Sequence, residues 1–318
     1  MSPTKPLIGL CLGMTLTSSS GASAAAETVR DPESRIVAEL VVTGTLPGPA
    51  WWTVTKGDST VWVLSAPVSL PRHFAWDQGV LCHRLTQSRE IIMPPGATAG
   101  LGDMFAFLSA RAKLKTKAPL EQRAPPAIAA KFLTAAAMLK KPASAYDHWN
   151  GVGAAMIMTW DFRRGLGIEP QDALASVEAD ARRARIPIVY AAKYRAITAI
   201  RAAVSEVTPA IEWVCLDAAS DEIAGGRARF DQAAEGWRRG DTRAALGAGR
   251  GFEICINSIP VGAGIAREVI ADETLAIETA LKTPGHVIAV IPLRGLLAEG
   301  GVLDRLRRQG YSVTGRGG

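Results

Sequence analysis

Residues 49–71 read Pro-Ala-Trp-Trp-Thr-Val-Thr-Lys-Gly-Asp-Ser-Thr-Val-Trp-Val-Leu-Ser-Ala-Pro-Val-Ser-Leu-Pro. Two runs of aromatic and β-branched residues, Trp51–Thr55 and Thr60–Leu64, flank Lys56-Gly57-Asp58-Ser59. Gly57 supplies the positive φ of a tight turn, and Asp58 and Ser59 can bond the local backbone, so the stretch is a β-hairpin. Its second strand stops at Ser65-Ala66-Pro67-Val68. In an open α/β sheet, ligands are held beyond the carboxyl ends of the strands. That break is therefore the first place to look for a site.

Working outward, Gly79–Ser88 has helical apolar spacing and Arg89–Met93 is a short apolar strand ended by Pro94-Pro95, giving a strand–helix–strand crossover. The lead-in, residues 25–48, ends in Val41–Gly48 and is expected to add an edge strand. Residues 97–185 read as mostly helical. Asp103 is expected to cap one helix, Pro126 to open another, and Trp149, Val152, Ala155, Met156 and Trp160 to form the buried side of a third. Ile186–Tyr190 is a strand. From 194 to 282 the pattern is helical, with expected breaks at Gly225-Gly226, Gly240-Asp241 and Val261–Gly264. Val287–Ile291 is a buried strand, Gly300-Gly301 starts a helix, and Tyr311–Val313 is a last short strand. The expectation is an α/β protein in one domain, residues 49–318, whose central sheet is built from N- and C-terminal strands around a large helical middle.

Composition limits the function. The chain of 318 residues is 48% hydrophobic and 21% charged, which is globular. Its net charge of +6 is dispersed along the chain rather than gathered into a basic stripe, which argues against nucleic acid as a partner. Lys5, the apolar run Pro6–Leu16 and the small residues ending Ala22-Ser23-Ala24 read as a cleavable export signal, residues 1–24. The run is shorter than the roughly 20 apolar residues of a membrane span, so no transmembrane segment is expected after cleavage. The expected location is the periplasm or outside the cell. Of the four cysteines, Cys11 would leave with the signal. Cys215 and Cys255 are the expected disulfide pair; three buried thiols, Cys82 included, are the alternative.

Catalytic motifs are scarce. The four histidines, His73, His83, His148 and His286, include no pair at local metal-ligand spacing. There is no nucleophile elbow or Walker loop, and Val261–Ile265 follows helical sequence rather than a strand. Asp217, Asp221 and Glu222 read as a solvated helix face.

Several segments in order carry a resemblance: Trp52 with Gly57–Trp62, Leu70-Pro71 and Trp76, then Pro187–Val189, Trp237–Asp241, and the closing strand, glycine turn, helix and Gly310–Val313. Together they resemble the TraB/GumN family over residues 49–314. In that family the first and last core strands each end in Gly-x-x-His, and glutamates follow two strands between them. The resemblance implies that its metal-dependent members, which are similar to the Tiki proteases, hold a divalent ion with these groups to activate water. This chain departs at all four positions, which fall on Val68, Pro94, Ala192 and Gly295, with no His or Glu within one residue of any of them. None of these side chains can ligate a metal.

The resemblance therefore implies a degenerate member with no metal and no cofactor, acting by binding an unknown small ligand or peptide. Ser65, Lys193 and Arg294 are the candidate cleft residues, the two cations suiting an anion or a carboxylate. Two alternatives stand beside it. One is a hydrolase with a relocated site drawn from His73, Asp77 and His83. The other is a structural envelope protein.

Overall fold

In a computed structural model the structure describes residues 30–42, 48–67, 69–100, 102–169 and 172–315. The expected signal, Cys11 and Val68 lie outside them. Among the described residues ten strands are present: β1 Trp51–Lys56, β2 Ser59–Ala66, β3 Leu70–Pro71, β4 Ser88–Met93, β5 Gly96–Thr98, β6 Ile168–Glu169, β7 Ile188–Tyr190, β8 Lys193–Arg195, β9 Gly285–Pro292 and β10 Ser312–Gly315. Among the helices, α1 Gly79–Leu85 joins β2 to β4, and α2 Asp103–Lys113, α3 Leu120–Arg123, α4 Pro126–Met138 and α5 Gly151–Gly165 follow. Then come α6 Asp172–Arg183, α7 Ala196–Ser205, α8 Pro209–Ala224, α9 Gly226–Arg238, α10 Thr242–Ala245, α11 Gly251–Ser258, α12 Pro260–Ala280, α13 Leu293–Leu297 and α14 Val302–Arg308.

Six strands make the central sheet in the order β10-β1-β2-β9-β4-β7. The hairpin forms as its residues dictate: Gly57 has φ +55° in the turn, and Trp51 pairs with Leu64 at the open end. From β2 onward the sheet is parallel, Ala66 opposite Pro292, Ile92 opposite Ala289, and Met93 opposite Tyr190. Hence β2, β9, β4 and β7 end on the same edge. The strand–helix–strand crossover is real, but β9 enters between its two strands. Val287–Ile291 is a continuous apolar run, fully buried as a central parallel strand must be.

The sheet is covered by α12, α13 and α14, with Ile270, Ile277, Leu296, Leu303 and Leu306 packed against Val54, Val63 and Ala289. A separate helical core gathers Phe132, Met158, Leu216 and Phe230 from α4, α5, α8 and α9, with Tyr146 from the 3-10 turn before α5. Two indoles fasten the sheet to its surroundings: Trp52 Nε1 of β1 donates to Leu40 O (3.3 Å), and Trp237 Nε1 of α9 donates to Ser65 O of β2 (2.9 Å).

Three local expectations change, and a fourth falls largely outside the described residues. Val261–Gly264 does not break a helix; it is the first turn of α12, and the break is at Ile259-Pro260, where α11 and α12 bend by 107°. A Cβ on Gly262 would sit 2.0 Å from Ile256 O, so the glycine is there to let the two helices meet. Trp160 is 64% exposed and Met156 also faces outward, so the buried side of α5 runs instead through Val152, Ala155, Met158 and Phe162. Residues 43–47, where the lead-in's edge strand is expected, lie outside the described residues; residues 30–42 contribute a bridge of Ile36 to Ala298 and a short 3-10 turn at Ala38–Leu40, and the strand paired to the outer side of β1 is β10. Finally, Asp103 is the first residue of α2 rather than its cap, its Oδ2 accepting from Gly100 N (2.7 Å).

Candidate functional site at the carboxyl edge of the sheet

Pro94 and Ala192 follow the last residues of β4 and β7, and Gly295 lies in α13 just beyond β9. The first two are neighbours: Ala191 N donates to Met93 O and Gly96 N to Ala192 O, both at 3.0 Å. All three positions thus stand at the ligand-binding edge of a parallel sheet, and none carries a donor atom on its side chain. Val68, beyond β2, is outside the described residues. Among the described residues no group of three His, Cys, Asp or Glu side chains lies close enough to hold a metal ion.

The lead-in fills this edge. Val37 N donates to Leu297 O (2.9 Å), and Glu299 N to Arg35 O (2.8 Å), which lays residues 35–37 along the end of α13. Upstream, Asp31 Oδ2 accepts from Arg250 (2.9 Å) and its Oδ1 from Asn257 Nδ2 (2.8 Å). Glu33 approaches Arg250 at 3.6 Å. Its Oε1 would lie 3.6 Å from a Cβ built on Gly295, beside Ile270. A carboxylate of the chain's own lead-in therefore faces the position from which an imidazole would project.

Next to it is a small cavity of about 30 Å³, closed by Pro67, Leu246, Arg250, Glu253 and Arg294. That volume suits a water or two, not an organic substrate. Arg294 donates to Leu246 O, and burial, reinforced by Arg250, pushes its guanidinium down to about 10. Burial likewise raises the Glu33 carboxyl against the pull of Arg250. Glu273, on α12, is driven well above the carboxylate range by burial, then by Glu33 and Asp272, and its Oε1 has no partner.

Of the predicted cleft residues, only Arg294 lines this cavity. Ser65 is fully buried, its hydroxyl donating to Ala50 O (3.2 Å) and its carbonyl taken by Trp237, so it offers no group to a ligand. Lys193 is exposed at the start of β8, outside the cavity lining. The relocated-site residues stay on the surface: Asp77 Oδ1 accepts from Gly79 N (2.7 Å) at the start of α1, and His83 bonds Gln87 (3.2 Å). Cys215 and Cys255 are bonded, joining α8 to α11, and Cys82 is exposed. Glu222 leaves the acidic face it was assigned to. It is buried and takes Arg163 Nε at 2.7 Å and Nη2 at 3.0 Å, while Asp217 and Asp221 clasp Lys131.

The residues missed from sequence are Asp31, Glu33, Arg250, Glu253 and Glu273. Asp31 and Arg250 are 219 positions apart, and neither sits in a patterned motif, so no local signal joins them.

A model of the TraB/PrgY/gumN family matches residues 50–315. The chain belongs to the TraB/PrgY/gumN family. The match spans the whole described sheet and the helices between its strands, as the resemblance implied. Searches of curated proteins and of solved structures each found no match. Within the family's fold, then, the carboxyl edge of this sheet is closed by the chain's own acidic lead-in.

Proposed function

We propose that this chain is a non-catalytic member of the TraB/PrgY/gumN family that acts by binding a carboxylate-bearing peptide or a comparable anion at the carboxyl edge of the sheet. One observation carries the reading: an acidic segment, Asp31-Pro32-Glu33-Ser34, already lies across that edge with its carboxylates on Arg250 and beside Gly295. The segment serves as an internal ligand, and an acidic peptide competes for the same guanidinium groups once the lead-in lifts. Charge-assisted bonds of this kind are the strong ones in a partly buried site. Pro94, Ala192 and Gly295 offer no group to hold an ion or polarise water, which supports binding over hydrolysis. Export to the periplasm or beyond the cell fits the Cys215–Cys255 bond, since disulfides persist in oxidising compartments.

Calorimetry with an acetylated Asp-Pro-Glu-Ser peptide tests the reading. The Asp31→Asn, Glu33→Gln double variant should bind the peptide at least tenfold more tightly than the unaltered chain, and adding Arg250→Gln should abolish the gain. No peptide binding by either chain would leave the structural envelope role as the better account. Zinc, manganese or cobalt retained stoichiometrically through dialysis would overturn the non-catalytic reading itself.

A further inference from the structure

A second, apolar cavity shares no lining residue with the one at the sheet edge. It lies between α2, α5, α7 and α11, encloses about 250 Å³, and is walled by residues such as Leu114, Val152, Met156, Val204 and Ile256. One charged side chain, Arg111, lines it. Arg111 is also exposed on α2, which puts its guanidinium at the mouth.

Trp149 forms one wall and organises the charge there. Arg111 Cζ lies 4.9 Å from its ring centroid and Lys115 Nζ 5.7 Å, so both cations gather over one indole. The ring is seated on Gly153, where an added Cβ would come within 2.9 Å of it. Arg111 and Lys115 pair with no carboxylate among the described residues, whereas Arg123, Lys131 and Arg163 on α3, α4 and α5 are each matched to at least one. α2 also exposes Phe105, at 80%, and Leu108, while Phe107 of the same helix lines the cavity.

We propose that this cavity binds a monomeric anionic amphiphile with a single acyl chain, the chain occupying the space between the helices and the carboxylate meeting Arg111 and Lys115. The walls offer nothing to a peptide backbone, whose N–H and C=O groups would be buried without partners. A neutral hydrocarbon would leave the paired cations unused. An acyl carboxylate satisfies both halves, because each methylene leaves water and the headgroup stays at the wet, positively charged rim. The cavity and its rim share no residue with the Arg294 cavity, so the two sites are tested separately.

The test is calorimetric titration of delipidated protein with dodecanoate below its micelle-forming concentration. One dodecanoate per chain should bind, and dodecanol should bind at least tenfold more weakly. Arg111→Gln with Lys115→Gln should bring dodecanoate down to the affinity of dodecanol and leave dodecanol unchanged. Ala203→Trp, which fills the space from α7, should abolish both; the surface double variant keeps the test decisive if that chain fails to fold. No saturable binding, equal affinity for the two amphiphiles, or full binding by a folded Ala203→Trp protein would overturn the proposal. Binding to anionic phospholipid vesicles without binding to dodecanoate monomers would also overturn it, in favour of a membrane-adhesive face.

Discussion

Glu222 and Glu33 are both carboxylates set against arginine, yet their surroundings differ in kind. Glu222 is sealed inside the helical half and holds Arg163 with two bonds, while Gly251 N donates to the same carboxylate. Helices α8 and α11, which carry Glu222 and Gly251, are also tied by Cys215–Cys255. Glu33 sits at the sheet edge on a segment near the chain's beginning, shares Arg250 with Asp31 at a looser 3.6 Å, and retains 20% side-chain exposure. Close by, Arg250 Nε and Glu273 Oε1 lack hydrogen-bond partners. The interior cluster is a finished joint. The edge cluster is a contact that another acid can replace.

The contrast breaks most visibly at Glu222. Glu222→Ala removes both close bonds to a buried guanidinium, leaving it only Glu253 at 3.5 Å, and should cost about 3–5 kcal/mol of stability, measured by urea denaturation. A loss below about 1 kcal/mol would mean that the interior cluster is as replaceable as the edge. Next comes the covalent tie. Replacing Cys215 and Cys255 by Ala opens a loop with a sequence separation of 40 and should cost about 3–4 kcal/mol by chain entropy. The same change should leave acidic-peptide binding at the sheet edge unaltered; a change there would couple the two regions.

Glu273 gives a smaller, pH-dependent effect. Its folded-state value lies above the ordinary 4.5, so its contribution is fully present below that pH and is lost as pH rises through the raised value. Glu273→Gln should therefore match the unaltered chain near pH 4 and exceed it at pH 8 by about 1–3 kcal/mol, the cost of an unsatisfied buried group. Denaturation curves at the two pH values check the sign. The smallest effect is expected from Asp31→Asn with Glu33→Gln, a loss of about 1 kcal/mol, since partly exposed pairs contribute little. A loss above about 3 kcal/mol would make the lead-in a structural joint and weaken the case for exchange.

The parts of this fold that could be read from sequence are those decided within a few residues. The alternation of Trp51–Leu64 around Gly57, the Pro126 start of α4, and the Gly240 stop before Asp241, whose side chain caps α10 at 3.0 Å, all follow from backbone and side-chain geometry on the spot. Gly262 misled because its role is set by Ile256 in another helix, not by its own turn. Trp160 misled because helical spacing marks a face without saying which neighbour covers it. At the site, the absence of donors at Pro94, Ala192 and Gly295 was legible once they were aligned with the family's pattern. The acidic occupant was not, because the approach of residues 31–33 to Arg250 and Gly295 exists only after the sheet and α13 have formed.

The insertion of β9 between β2 and β4 also governs how the molecule comes into being. The inner strand pair of the sheet joins residues 59–66 to 285–292, so its register spans most of the chain. Until Gly285–Pro292 arrives, β2 and β4 each present an unpaired edge. Such long-range closure makes folding slow and leaves early intermediates prone to edge-to-edge association. A chain cut before residue 285 should therefore fail as a whole, accumulating as aggregate rather than as a smaller folded core.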